Sequence, residues 1–203
     1  MEIKTINCGL LDTNCYILSV GNDAVVFDPD GEKEKILDLL SGLTLRAVIL
    51  THGHFDHIGA VDCICRETGA KLYINAEDGE MLADPNKNAS FLLPGSNVIC
   101  STTPLFFEGD AERYFGDIHL KALHTPGHTK GSSCFICEDI IISGDTLFRN
   151  GIGRTDLYGG DTAEEFDSIR KLFALEGDHT VYPGHGGATT LFHEVKTNPF
   201  LRT

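Results

Sequence analysis

Residues 51–60 read THGHFDHIGA and crowd three histidines and one aspartate into positions 52 to 57. A random draw from this composition yields the pattern H-x-H-x-D-H somewhere in the chain on the order of once in a thousand trials. The stretch constrains the fold because it directly follows LRAVIL, residues 45–50, which reads as a strand apolar on both faces and therefore covered on both sides. Ligand-type side chains follow such a strand only where the chain leaves the core at a sheet edge, and layered α/β folds place their sites at the carboxyl ends of strands. In a locally extended segment His52, His54 and Asp56 share one side, while His57 at the turn reaches a neighbouring point. That layout predicts two adjacent metal ions.

The same arrangement recurs along the chain. AVVFDPD ends in Asp28, LKALHTPGH in His128, IIISGD in Asp145 and HTVYPGH in His185. Strands CYILSV, AVVFD, LRAVILT, KLYI, SSCFICE and DIIIS alternate with amphipathic stretches, and ERYFGDIHLKALH reads as a hairpin around Gly116 and Asp117. Helices are predicted over EKEKILDLLSG, GAVDCICRETG and DTAEEFDSIRKLF, the last with Thr162 and Glu165 at capping-box spacing and a core stripe of Phe166, Ile169, Leu172 and Phe173. Residues 76 to 103 carry no legible period. The pattern is α/β, and without repeats, low-complexity tracts or linker-like runs it predicts one domain over residues 1–203.

Composition narrows the functional classes. The formal net charge of −14 repels phosphate backbones and argues against a nucleic-acid partner. No run approaches the ~18 apolar residues of a membrane helix, and MEIKTINCGL lacks the features of a signal peptide, so the expected location is cytoplasmic and away from membranes. Seven cysteines, an odd number, then read as reduced thiols, all seven as small buried hydrophobes. Cys134 and Cys137, three apart on a strand, face opposite ways and make no redox or zinc pair.

Taken together, TNCY at 13–16, FDPD, H-x-H-x-D-H, HTPGHTKGS, SGDTLFRNGIGRTD, PGHG and NPFL at 198–201 resemble the metallo-β-lactamase superfamily, and within it the hydrolases similar to glyoxalase II. The resemblance implies a four-layer αβ/βα sandwich with metals at one edge of its two sheets. It also implies that His52, His54 and His128 hold a first metal, that Asp56, His57 and His185 hold a second, and that Asp145 bridges them. Zinc suits these donors, as do iron and manganese. Two such ions hold a hydroxide at neutral pH, which Asp56 orients.

A thiolate leaves without protonation whereas an amide nitrogen usually needs it, so a site lacking a spare general acid favours thioesters. Arg154, Arg149 and Tyr158, in the loop after Asp145, are the candidates for binding a small anionic substrate. The chain departs from the glutathione-using enzymes in lacking their extra C-terminal helical region and in carrying Asp156 two positions after Arg154. Lactones and phosphodiesters are further candidate substrates for the same dinuclear site. GIGRTD also resembles the persulfide dioxygenases, in which a single iron would be held by His52, His128 and Asp145; a metal-binding module without activity is a third reading. His124 is a rival ligand, Asp28 either orients a ligand or begins a turn, and His119, His179 and His193 read as surface or satisfied polar residues. Neither the acyl group nor the oligomeric state is written in the sequence.

Overall fold

The structure, a computed structural model, describes residues 1–93, 95 and 97–201. The first sheet contains β1 (Glu2–Cys8), β2 (Thr13–Val20), β3 (Asp23–Phe27), β4 (Thr44–Ile49), β5 (Lys71–Asn75) and β6 (Leu105–Phe107), side by side in chain order. Its first three strands pair antiparallel and β3 to β6 pair parallel. The chain then crosses to the second sheet through residues 108–110 and builds β7 (Ala111–Phe115), β8 (Ile118–His124), β9 (Ser133–Cys137) and β10 (Ile140–Gly144). After a small hairpin of β11 (Leu147–Phe148) and β12 (Gly151–Ile152), β13 (Thr180–Pro183) and β14 (Thr189–Thr190) complete the order β14-β13-β10-β9-β8-β7.

Burial explains the layering. Alternate residues of the first sheet, among them Leu18, Val25, Phe27 and Ile49, meet Leu120, Phe135, Ile140 and Ile142 of the second in one apolar layer. Phe27 and Phe135 pack with ring centroids 5.4 Å apart. Each large side chain fully buried there contributes about 1.5–3 kcal/mol. The outer face of the first sheet carries α1 (Lys33–Leu39) and α2 (Val61–Thr68), through Ile36, Val61, Ile64 and Cys65. On the opposite outer face, α3 (Thr162–Phe173) and α4 (Leu191–Thr197) pack Leu172 and Leu191 against Leu123, Cys134, Ile141 and Val181. This is the expected αβ/βα sandwich. No helix among the described residues is long and apolar enough to cross a membrane.

Two sequence expectations need correction. The cap of α3 is Asp161, which accepts from the Ala163 and Glu164 amides at 2.8 and 3.1 Å, so Thr162 is inside the helix and no capping box forms. Glu165 instead turns into the protein, where its Oε1 accepts from the Gly153 amide. Cys63 is half-exposed while the other six cysteines are buried, since residues two apart on α2 cannot share its inner face. Cys134 and Cys137 do face opposite layers.

Residues 76 to 103 were illegible for a physical reason. The described residues of this stretch form two 3₁₀ segments, Ala76–Ala83 and Ser90–Leu92, and bury polar Asp78, Asn88 and Ser90 beside Met81, Leu82 and Ala89. The hydrophobic period is therefore partly inverted. Hydrogen bonds hold this segment where apolar packing would hold a helix.

Candidate metal centre

Both sheets deliver polar side chains to one edge. His52 and His54 follow β4 and are joined by the 3₁₀ turn Phe55–His57, which presents Asp56 and His57. The turn corrects the expectation of an extended run from 52 to 56: the backbone is extended at His54 and helical beyond it, which brings His57 back beside His52, ring centroids 4.1 Å apart. From the second sheet come His128 in the β8–β9 connection, Asp145 after β10 and His185 after β13. The donor atoms of His52, His54 and His128 lie within 4.8 Å of one another, as do those of His52, His57 and Asp145, and those of Asp56, His57 and His185. Asp145 spans the set, with Oδ2 3.6 Å from Nε2 of both His128 and His185 and Oδ1 3.6 Å from Nε2 of His57.

Two glycines make this approach feasible. A side chain at Gly184 would place its Cβ 2.0 Å from Asp145 Oδ1. Gly144 has φ +50°, and a Cβ there would meet Thr51 Oγ1 at 2.4 Å. The β10–β13 register shifts at the same point, between Ile142 and Gly144, and aims the next residue into the cluster.

Four of the five histidines are oriented from behind. His128 Nδ1 lies 2.7 Å from the Arg154 carbonyl and His185 Nδ1 lies 3.1 Å from the Leu11 carbonyl. His57 Nδ1 lies 3.0 Å from Asp28 Oδ2. Thr51 donates its hydroxyl to Asp28 Oδ2 at 2.7 Å, which leaves its oxygen to accept from His52 Nδ1 at 3.1 Å. For His52, His128 and His185 these acceptors place the proton on Nδ1 and turn Nε2 toward the centre, while Asp28 is the ion-pair partner of His57, whose Nε2 also faces the centre. Among the described residues, His52 Nε2, His57 Nε2 and Asp145 Oδ1 are buried without a hydrogen-bond partner. His54 Nδ1 faces His128 Nε2 at 2.9 Å. Buried lone pairs converging without donors are costly unless a cation sits between them, so the donor set fits a metal site.

The cluster's charge follows from this crowding. Burial alone would push the His57 imidazolium down, but Asp56, Asp28 and Asp145 around it hold its pKa up at about 10. Burial likewise opposes ionisation of Asp56, and the imidazoles of His57 and His185 outweigh it and hold the carboxyl well below its ordinary range. His52 and His54 are lowered by burial and by neighbouring imidazoles, which favours their neutral form. Beneath the His128 loop, burial lifts the Glu165 carboxyl to about 8.

The centre floors a cavity of about 460 Å³, a size that suits a small ligand. Of the three expected substrate contacts, Arg154 lines it, with Nε and Nη2 already 2.7 and 2.9 Å from the two Asp156 oxygens. Arg149 is exposed and outside the lining. Tyr158 also lies outside it, donates to Glu80 Oε1 at 2.6 Å and takes the Lys87 and Lys130 ammonium groups over its ring, so it straps its loop to the Ala76–Ala83 turn. His124 donates its Nε2–H to the Lys130 carbonyl, 2.8 Å away, and joins none of the three donor groups. Among the other histidines, His119 is exposed, while buried ring nitrogens of His179 and His193 have no hydrogen-bond partner among the described residues.

Sequence reasoning missed the struts. Asp78, fully buried, accepts from the Gly53 amide at 3.0 Å, the Thr129 hydroxyl at 2.7 Å and the Gly131 amide at 2.7 Å, and so ties the His52–His54 loop to the His128 loop. Asn14 binds the Pro183 and Gly186 carbonyls on either side of His185, at 3.0 and 2.8 Å. TNCY offered a signal for Asn14, whereas nothing in the sequence marked Asp78. Asp28, which the sequence offers either as a turn former or as a ligand support, does both: its left-handed backbone, φ 49°, turns the carboxylate back onto Thr51 and His57.

Comparison with known proteins agrees with this geometry. The family described as the metallo-beta-lactamase superfamily matches residues 8–185. The chain is 39% identical to the probable metallo-hydrolase YqgX of Bacillus subtilis, over 99% of this chain and 98% of that one. It is 33% identical to the hydroxyacylglutathione hydrolase GloC of Haemophilus influenzae, over 100% and 99%. Among solved structures, the BLEG-1 B3 metallo-beta-lactamase superposes with a TM-score of 0.95 at 36% identity, covering 100% of both chains. TTHA1623 in a di-iron-bound form superposes at 0.84 with 35% identity, over 98% of this chain and 100% of that one.

Proposed function

Because this chain belongs to the metallo-β-lactamase superfamily of metal-dependent hydrolases, we propose that it is a dinuclear hydrolase acting on thioesters. The carrying observation is the convergence of five imidazoles, four of them backed by an acceptor at Nδ1, into two donor sets with Asp145 between them. His52, His54 and His128 would hold one ion, Asp56, His57 and His185 the other. Such ions supply a hydroxide at neutral pH and an electrophile for the carbonyl. Asp56, held ionised, would accept a hydrogen bond from the attacking hydroxide and keep it aimed into the cavity, with Thr13 Oγ1 3.4 Å from its Oδ2 limiting its rotation.

The leaving group decides the substrate class. With the histidines engaged as ligands, the described lining retains Arg154 as its one proton-bearing group, and that guanidinium is paired with Asp156. A thiolate with a parent pKa near ~8.5 leaves unaided and an amide nitrogen does not. The relative named hydroxyacylglutathione hydrolase supports the thioester reading. A single-iron oxygenase on His52, His128 and Asp145 would leave Asp56, His57 and His185 assembled without a role.

Elemental analysis of the purified protein, followed by rates on a thioester, a lactone, a phosphodiester and a β-lactam, tests the reading. About two metal ions per chain are expected, with the thioester fastest. Imidazole and carboxylate donors suit zinc, and the di-iron-bound relative makes iron its first competitor, which the same analysis separates. One iron per chain together with oxygen uptake on glutathione persulfide would refute it.

A further inference from the structure

Resting on the thioester reading, we infer that the cavity selects substrates by an apolar acyl chain, and that the thiol half is not recognised by charge. Two apolar walls rise from the metal floor. One is Leu11 of the β1–β2 turn with Phe55 and Leu92; the other is Phe148, Ile152 and Leu157, from the hairpin and loop that follow Asp145. Leu11 and Leu92 stand 46% and 50% exposed at the rim. Such side chains gain most when a ligand, and not water, covers them, because apolar burial scales with the area removed from water. Phe148 and Ile152 belong to β11 and β12, so their wall is a paired hairpin and is formed before any ligand arrives.

Charge points the same way. Among the described residues the lining contains one cation, Arg154, and both forks of its guanidinium already meet Asp156. A peptidic thiol carrying two carboxylates would have to displace Asp156 to gain that contact, in a protein whose net charge is −14. An acyl chain needs no such exchange. The reaction adds one water across the acyl–sulfur bond: a C–O bond forms, the C–S bond breaks, the sulfur leaves with the bonding pair, and the products are a carboxylate, a thiol and one proton.

The test is a series of N-acetylcysteamine thioesters from acetyl to octanoyl on the metal-loaded enzyme, with the glutathione thioester of each acyl group alongside. We expect kcat/KM to rise about 2- to 4-fold per added methylene before levelling off, and the two thiols to differ by less than about 5-fold. Leu92→Ser and Phe148→Ser should lower the octanoyl-to-acetyl ratio by roughly 5-fold or more, a ratio that cancels any general loss of active protein. Turnover with a flat or falling length profile, or a marked preference for glutathione, overturns the inference and leaves the thioester reading standing. No turnover at any length overturns that reading. The walls are then judged by calorimetric titration with straight-chain carboxylates from acetate to octanoate: tightening with length upholds the apolar selection, and equal affinity overturns it.

Discussion

Asp145 touches both halves of the cluster at 3.6 Å from three imidazole nitrogens, and the bare Cα of Gly184 leaves the room its carboxylate needs. Asp145→Ala should therefore reduce hydrolysis by more than about 100-fold and lower the metal count, while the melting temperature of the chelated protein moves by only a few degrees. Activity kept after this change would contradict the mechanism. Asp78 makes a subtler case. All three of its neighbours donate, so Asp78→Asn must turn an amide N–H against a donor. We expect a loss of about 1–3 kcal/mol in stability by denaturant titration and a 10- to 100-fold weaker metal affinity by competition with a chelator. The contrast explains what the sequence could reveal at this scale. Seven ligand-type residues at strand ends are conspicuous because polar groups there have no structural reason to accumulate. Asp78, Thr51 and Asn14 are common residues whose partners lie far away in the chain, so no local pattern betrays them.

The β11–β12 hairpin carries one wall of the cavity, and α4 holds it in place. Glu194, fully buried on α4, accepts from the Asn150 amide at the hairpin tip, from the Thr189 hydroxyl and from Asn198, which itself binds the Gly151 carbonyl. Glu194→Gln opposes one of these donors with an amide N–H. It should raise KM more than it lowers kcat, with increased hydrogen exchange across residues 147–153 as the accompanying sign. Unchanged exchange there would separate α4 from the hairpin. Regular elements with a buried face, such as β4, α2 and the β7–β8 hairpin, were readable from period and punctuation alone. The short β11, β12 and β14 were not, since two residues have no period, and the two 3₁₀ turns bury polar side chains. NPFL entered the reading only as part of a resemblance; the structure gives it a task, in Asn198, that spacing could not have suggested.

The whole molecule couples its acid–base state to its stability through Glu165, fully buried between α3 and the loops at 127 and 153. Burial raises its folded pKa to about 8 from an ordinary 4.5, so the folded state retains a proton that the unfolded state has lost. Stability due to this group is therefore intact below pH ~4.5 and falls as pH rises toward 8, by an amount on the order of a few kcal/mol. The melting temperature of Glu165→Gln minus that of the parent should grow from pH 5 to pH 9; a constant difference would place the carboxyl elsewhere. Metal removal acts on the same scale, because the proposed ligands belong to both sheets. At metal concentrations 1,000-fold above Kd, chelation should cost about 4 kcal/mol for each ion lost and lower the melting temperature by roughly 8–16 °C per ion, recovered on adding metal back.

The chain passes from the first sheet to the second through residues 108–110, and every described strand before that point lies in the first sheet. Cutting there would yield two polypeptides, one bearing His52, His54, Asp56 and His57, the other His128, Asp145 and His185. Neither half alone presents a complete donor set, so mixing the two should restore assembly only with added divalent metal, and a chelator should reverse it.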